Sequence, residues 1–186
     1  MRIISGKYKG ISLNGPEGSD TRPTSDRVKE ALFNTLMMDL DGSRFLDLFA
    51  GTGSIGIEAL SRNADEVVFV DFDRNALKIL KTNIEKINAD ESKFEIFHKG
   101  AFQALDHFSA RGKIFDLIFL DPPYEMSDTI ELIEKISDEK IIENYGKIII
   151  EHDKRNEMPK SIRDMVRLAQ KKYGNTMLTI YGTEEI

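Results

Sequence analysis

The apolar positions of this chain fall into two rhythms. From Arg44 onward, short runs of β-branched and aromatic residues alternate with stretches whose apolar residues recur every three or four positions. The runs Phe45-Leu46-Asp47-Leu48-Phe49, Glu66–Asp71, Phe94–Phe97, Phe115–Leu120 and Lys147–Glu151 read as strands buried on both faces. Between them, helical spacing predicts helices near Ser54–Ser61, Arg74–Asn88, Phe102–Phe108 and Thr129–Ile136, with a short one near Glu139–Glu143. Met165–Lys172 and Met177–Tyr181, joined by the turn Tyr173-Gly174-Asn175, predict a closing antiparallel hairpin. Strands separated by helices imply an α/β fold: a mostly parallel, seven-stranded sheet with helices on both faces.

Upstream the pattern differs. Arg2-Ile3-Ile4 and Gly10-Ile11-Ser12-Leu13 flank a polar turn and predict a small hairpin. A Gly/Pro/Asp-rich loop runs from Asn14 to Pro23, and an amphipathic helix is expected from about Ser25 to Met38. The expected organisation is a hairpin extension over residues 1–24 and an α/β body over residues 25–186.

Composition narrows the classes. The 186 residues suffice for one buried core, and 40% hydrophobic with 31% charged residues is the balance of a soluble domain. No apolar run reaches the roughly 20 residues of a spanning helix, and the start lacks a secretory leader. The chain has no cysteine, so disulfides and thiolate metal sites are excluded, and a cytoplasmic protein without metal is expected. The net charge of −6 argues against a broad grip on nucleic acid. Yet Arg2, Lys7, Lys9, Arg22, Arg27 and Lys29 cluster near the N-terminus with few acids between them, and a binding face needs only a local patch.

Two motifs carry chemistry. Gly51-Thr52-Gly53-Ser54-Ile55-Gly56 matches G-x-G-x-x-G between a strand and a helix, where glycines permit a tight turn and close approach of a ligand to the main chain. Asp71 ends the next strand, where a carboxylate can accept two hydrogen bonds from a ribose diol. Together they predict a nucleoside-containing cofactor across the ends of the first two strands.

The second motif, Asp121-Pro122-Pro123-Tyr124, directly follows the fourth predicted strand. Ligand chemistry in open α/β sheets occurs at the carboxyl ends of strands. An amino group conjugated to a ring is a poor nucleophile, because its lone pair is delocalised. The Asp121 carboxylate and the Pro122 carbonyl can hold its two hydrogens and aim the lone pair, while Tyr124 can stack on the base. That chemistry needs neither metal nor covalent intermediate.

The form Asp47-Leu48-Phe49-Ala50-Gly51-Thr52-Gly53 resembles the first motif of Rossmann-like methyltransferases, whose cofactor is S-adenosylmethionine. Over nearly its whole length the chain resembles the bacterial 16S rRNA (guanine-N2)-methyltransferases of RsmD type, which modify guanine-966. The resemblance rests on Arg2–Gly10, Thr21-Arg22-Pro23-Thr24, Arg27–Asn34, Asp47–Gly53, Asp121–Tyr124 and Tyr173–Thr176. It implies a Rossmann-like methyltransferase fold and a cytoplasmic, monomeric enzyme. Its partner would be 16S rRNA or the assembling small ribosomal subunit. The implied catalytic residues are Asp121, Pro122 and Tyr124, and the implied cofactor residues are Asp47, Phe49, Gly51, Gly53, Asp71, Phe72, Ala101 and Asp121. Lys7, Lys9, Arg22, Thr24 and Arg27 are implied to hold RNA. One departure stands out: Gly100 occupies the place of an acid that often contacts the adenine amino group, so backbone near Ala101 and the Phe72 ring are expected to serve instead. His98 and His152 are expected to be structural.

Competing readings are an amino-methyltransferase acting on DNA adenine or protein glutamine, a non-enzymatic RNA-binding module, and an NAD-dependent oxidoreductase. No target-recognition domain supports the first.

Overall fold

In the computed structural model, which describes residues 1–16, 26–123 and 125–183, the β-branched runs become neighbours in one sheet. Its strands are β1 (Arg44–Asp47), β2 (Glu66–Asp71), β3 (Phe94–His98), β4 (Phe115–Leu120), β5 (Ile142–Asp153), β6 (Ser161–Ile162), β7 (Met165–Tyr173) and β8 (Thr176–Thr183). The order is β3-β2-β1-β4-β5-β8-β7-β6. β1 to β5 pair in parallel, and β8 runs antiparallel between β5 and β7. This is the expected mostly parallel α/β sheet with its antiparallel closing hairpin. The two-residue β6 makes the sheet eight-stranded; a strand that short leaves no alternation to read.

Six helices cover the sheet: α1 (Asp26–Thr35), α2 (Met37–Leu40), α3 (Ser54–Ser61), α4 (Arg74–Ile87), α5 (Ala101–Ser109) and α6 (Met126–Asp138). Side chains alternate along each strand, so β1 sends Phe45 to one face and Leu46 to the other. Phe45, Phe69 and Phe119 form a core with α1, α3 and α4; Leu46, Val68 and Ile118 form a second core with α5 and α6. Ile3 and Leu13 of the N-terminal segment belong to the first core.

Local departures have physical causes. The single helix expected over Ser25–Met38 is interrupted at Leu36. The Thr35 hydroxyl donates to the Ala31 carbonyl one turn back, which bends a helix, and Met37 and Met38 emerge into solvent. No helix forms over Glu139–Glu143: Lys140 adopts a positive φ of 53° and β5 already starts at Ile142. Gly146 lies within β5. A Cβ there would lie 2.9 Å from the Asp116 carbonyl, beside the register shift between Phe115 and Leu117. The N-terminal hairpin keeps one bridge, Arg2 to Ser12, with the Ile3 amide donating to the Ile11 carbonyl at 3.0 Å and the Leu13 amide to the Met1 carbonyl at 3.0 Å, while its turn is tied to α3. Ile4 and Ser5 amides donate to the Glu58 carboxylate at 2.8 and 3.0 Å, and the Tyr8 amide donates to the Ser61 hydroxyl at 3.0 Å.

Candidate active site

The parallel strand order reverses between β1 and β4, and the crevice at their carboxyl ends is the natural ligand position in such a sheet. A cavity of about 340 Å³ opens there. It gathers Asp47, Phe49, Gly51, Asp71, Phe72 and Asp121 from segments spread over 75 residues of sequence. Met1, Pro16, Asp73, Ala76 and Phe119, which no motif marks, also line its wall, with Ile55 of the glycine motif.

The glycine motif divides its labour. Gly51 has φ of +53°, and no protein atom lies within 4 Å of where its Cβ would be, so this backbone faces the cavity bare. Gly53 does not line the cavity; its φ is +88°, and a Cβ would stand 2.1 Å from Leu80. Gly56 lets α3 lie against β2, where a Cβ would meet the Phe69 ring at 2.2 Å.

Carboxylates dominate the cavity. Asp47 is buried and accepts the Gly56 amide of the first turn of α3 at 3.0 Å. Burial pushes its pKa up to about 7; the Gly56 amide opposes the rise, and the charges of Asp71 and Asp121 add to it. Asp71 accepts the Gly51 amide at 2.7 Å through one oxygen and the Asp73 amide at 2.8 Å through the other. Each carboxylate oxygen retains a lone pair for a ligand. Asp73 also caps α4 through the Asn75 amide. Asp121 is open on the side facing the cavities, yet protein crowds its carboxylate enough to push the pKa up to about 6. No lysine, arginine or histidine lines this cavity among the described residues.

Such a site suits a ligand that is positively charged near Asp47 and Asp121 and hydroxylated near Asp71. It opposes a pyrophosphate: four aspartates would face it, and the helix N-terminus that binds phosphate in dinucleotide enzymes is taken by Asp47. Phe72, 61% exposed, offers a ring face to a planar group, and His98 bonds the Phe72 carbonyl at 2.9 Å.

A second cavity of about 400 Å³ shares Asp121 and Pro123 with the first and adds Pro122, Met126, Glu151 and Asn175. Asp121 therefore stands in the wall between two hollows.

The family described as "Conserved hypothetical protein 95" matches residues 1–182. YlbH of Bacillus subtilis (strain 168) is 40% identical over 181 residues, 97% of this chain and 98% of that protein. The chain belongs to this family, that of the RsmD-type rRNA methyltransferases. Ribosomal RNA small subunit methyltransferase D of Escherichia coli (strain K12) is 31% identical over 159 residues, 86% of this chain and 78% of that one. The solved structure of yhhF from Escherichia coli superposes with a TM-score of 0.87 at 29% identity, covering 99% of this chain and 98% of that one.

The remaining residues implied by the RsmD-type resemblance are placed unevenly. Ala101 begins α5 and is buried outside the cavity lining. Tyr124, Arg22 and Thr24 lie outside the described residues. Arg27 is exposed on α1. Lys7 and Lys9 are exposed in a turn held by Ser61, at the far end of α3 from the cavity, about 12 Å for eight residues. The basic cluster near the N-terminus is smaller than its sequence suggests. Lys29 is buried: it donates to the Arg2 carbonyl at 2.6 Å and pairs with Glu58 at 3.5 Å, and burial pushes its pKa down. Arg2 pairs with Asp26.

One unforeseen residue, Asn83, ties this segment to the glycine loop. Buried Asn83 on α4 donates to the Thr52 carbonyl of the glycine loop at 2.9 Å and to the Asn14 carbonyl at 3.0 Å, and accepts the Asn14 amide at 2.8 Å. An asparagine on the buried face of α4, in line with Leu80 and Ile87, was the only local signal.

Proposed function

We propose that this protein transfers a methyl group from S-adenosylmethionine to the exocyclic N2 amino group of a guanine in small-subunit rRNA. The observation that supports it most is the position of Asp121 between an acidic, glycine-floored cavity and a second hollow open to an acceptor. Curated relatives named ribosomal RNA small subunit methyltransferase D support the RNA class.

The residues present fit the cofactor. When bound, S-adenosylmethionine supplies an electrophilic methyl group on a positively charged sulfur. Asp71 would accept from the ribose hydroxyls with its remaining lone pairs, and the Gly51 amide holds that carboxylate in place. The Phe72 ring would cover the adenine, which Gly100 leaves without an acidic partner. Asp47 and Asp121 would offset the positive charge.

On the acceptor side, the Asp121 carboxylate and the Pro122 carbonyl would each accept one hydrogen of the guanine amino group. Holding both hydrogens in plane turns the nitrogen lone pair toward the methyl group. Alignment of an in-line displacement and stabilisation of charge developing on nitrogen then lower the barrier. The proton released on methylation has a nearby acceptor in Asp121, whose raised pKa suits it to hold one. Tyr124, next in sequence, would stack on the unstacked base.

Incubating unmodified small-subunit particles with methyl-labelled cofactor, followed by nucleoside analysis, tests the reading. N2-methylguanosine is expected. N6-methyladenosine, or label found only in protein, would overturn it.

A further inference from the structure

The acceptor cavity does not end at the Asp-Pro-Pro loop. Through Asn156 and Met158 it continues into a third hollow of about 540 Å³, which lies over β7 and β8. Its wall carries Lys154, Lys160 and Arg167, with Glu157 as the single acid among the described residues. Lys172 lies on the same sheet face, in register with Met177, which lines the hollow. Between residues 154 and 172 the chain places seven basic residues and two acids, against a whole-chain net charge of −6.

Five of these seven cations form no ion pair among the described residues, though Lys171 donates to the Thr35 hydroxyl at 3.2 Å. Arg155 pairs with Asp153, and Arg163 with Glu134 and Asp138. Lys154, Lys160 and Lys172 are exposed and make no ion pair among the described residues. The Arg167 side chain donates to the Met158 carbonyl at 2.8 Å, which fixes its position, and it makes no ion pair among the described residues. Uncompensated cations cost solvation when crowded, and an apposed polyanion relieves that cost.

We propose that this hollow is a phosphate groove for the RNA strand flanking the target base, with Lys154, Lys160, Arg167 and Lys172 contacting its backbone. The inference rests on the RNA substrate proposed above. A base turned into the Asp121 cavity leaves its backbone at the cavity mouth, and the shared Asn156–Met158 wall leads the neighbouring phosphates onto the cations. The contacts are to phosphate, so the groove sets register and affinity rather than sequence.

The test compares wild type with Lys154→Gln/Lys160→Gln, and with a control, Lys78→Gln/Lys81→Gln, that removes the same charge from exposed positions on α4. Filter binding to an in vitro transcript of small-subunit rRNA is followed across a salt series. The groove variant is expected to bind about tenfold more weakly at low salt, with a log–log salt slope shallower by about 1.4, at roughly 0.7 per lost single-strand phosphate contact. Its cofactor affinity and its kcat at saturating RNA should match wild type, and the control should keep wild-type binding. Undiminished affinity and slope in the groove variant, or an equal loss in the control, would overturn the groove. Absence of RNA methylation by wild type would instead count against the proposed function.

Discussion

The cavity beside β1 and β2 and the hollow over β7 are linked through Asp121 and Asn156, but they carry opposite charge. The first gathers Asp47, Asp71, Asp73 and Asp121 with no cation on its described wall. The second sets Lys154, Lys160 and Arg167 against Glu157 alone. A net charge of −6 describes neither. In the proposed reaction a small cationic donor and a polyanionic acceptor would reach Asp121 from two sides, and this separation of charge would sort them. It also places the stability cost on one side: the buried Asp47 and the crowded Asp121, both with raised pKa values, lie in the first cavity, while Lys154 and Lys160 of the second stand in water.

The largest expected effect comes from the shared wall. Asp121→Ala should lower kcat by about 10²- to 10³-fold in single-turnover methylation, the scale of losing one transition-state acceptor. RNA affinity should hold, since the cations beyond it are untouched; a collapse of RNA binding would merge the two regions into one.

Asp47→Asn comes next. The amide can still accept from Gly56, but the charge facing the donor is lost. Cofactor affinity by calorimetry should fall about ten- to a hundredfold, the range for a hydrogen bond or contact to a charged group. The ligand-free protein should melt about 2–4 °C higher, as expected if roughly 1 kcal/mol of buried-charge cost is relieved. A lower melting temperature would contradict the account of Asp47.

The pH dependence follows from the same groups. The values of about 7 for Asp47 and about 6 for Asp121 lie above the unfolded carboxylate value near 4, so the folded chain binds more protons in that window. These two groups therefore make the ligand-free fold more stable as pH falls from about 8 to about 5. Depressed carboxylates such as Asp153, at about 2, oppose this only at lower pH. Cofactor affinity should run the other way, weakening as pH falls through 7 and 6, about tenfold by pH 5.5. Melting and calorimetric series over one pH range check both signs.

The smallest effect on chemistry is expected at Asn83, where the loss falls on stability. Asn83→Ala leaves the Thr52 carbonyl and the Asn14 backbone without their partner and should cost about 1–3 kcal/mol in denaturant unfolding. Faster proteolysis near Asn14 at unchanged kcat would place the loss in the N-terminal segment.

The strands were legible because continuous runs such as Val67–Val70 have no polar face to confuse the period. The glycine loop, Asp71 and Asp121 were legible because strand ends fix where such residues point. The break at Leu36 was hidden because Thr35 is compatible with a helix until its hydroxyl bonds back to Ala31. The role of Glu58 as acceptor for Ile4 and Ser5 joins residues more than 50 positions apart, which no window reports. Lys29 read as a surface charge for the same reason, since its partner lies on another helix. The cations after residue 153 were visible as composition, but their junction with the acceptor cavity exists only once β5, β7 and β8 are paired.

A structure of the protein with S-adenosylhomocysteine tests the arrangement most directly. The ribose hydroxyls should lie on the Asp71 carboxylate, and the sulfur should face the wall formed by Asp121. A ligand bound with its sulfur turned away from Asp121, or seated outside the β1–β2 crevice, would contradict it.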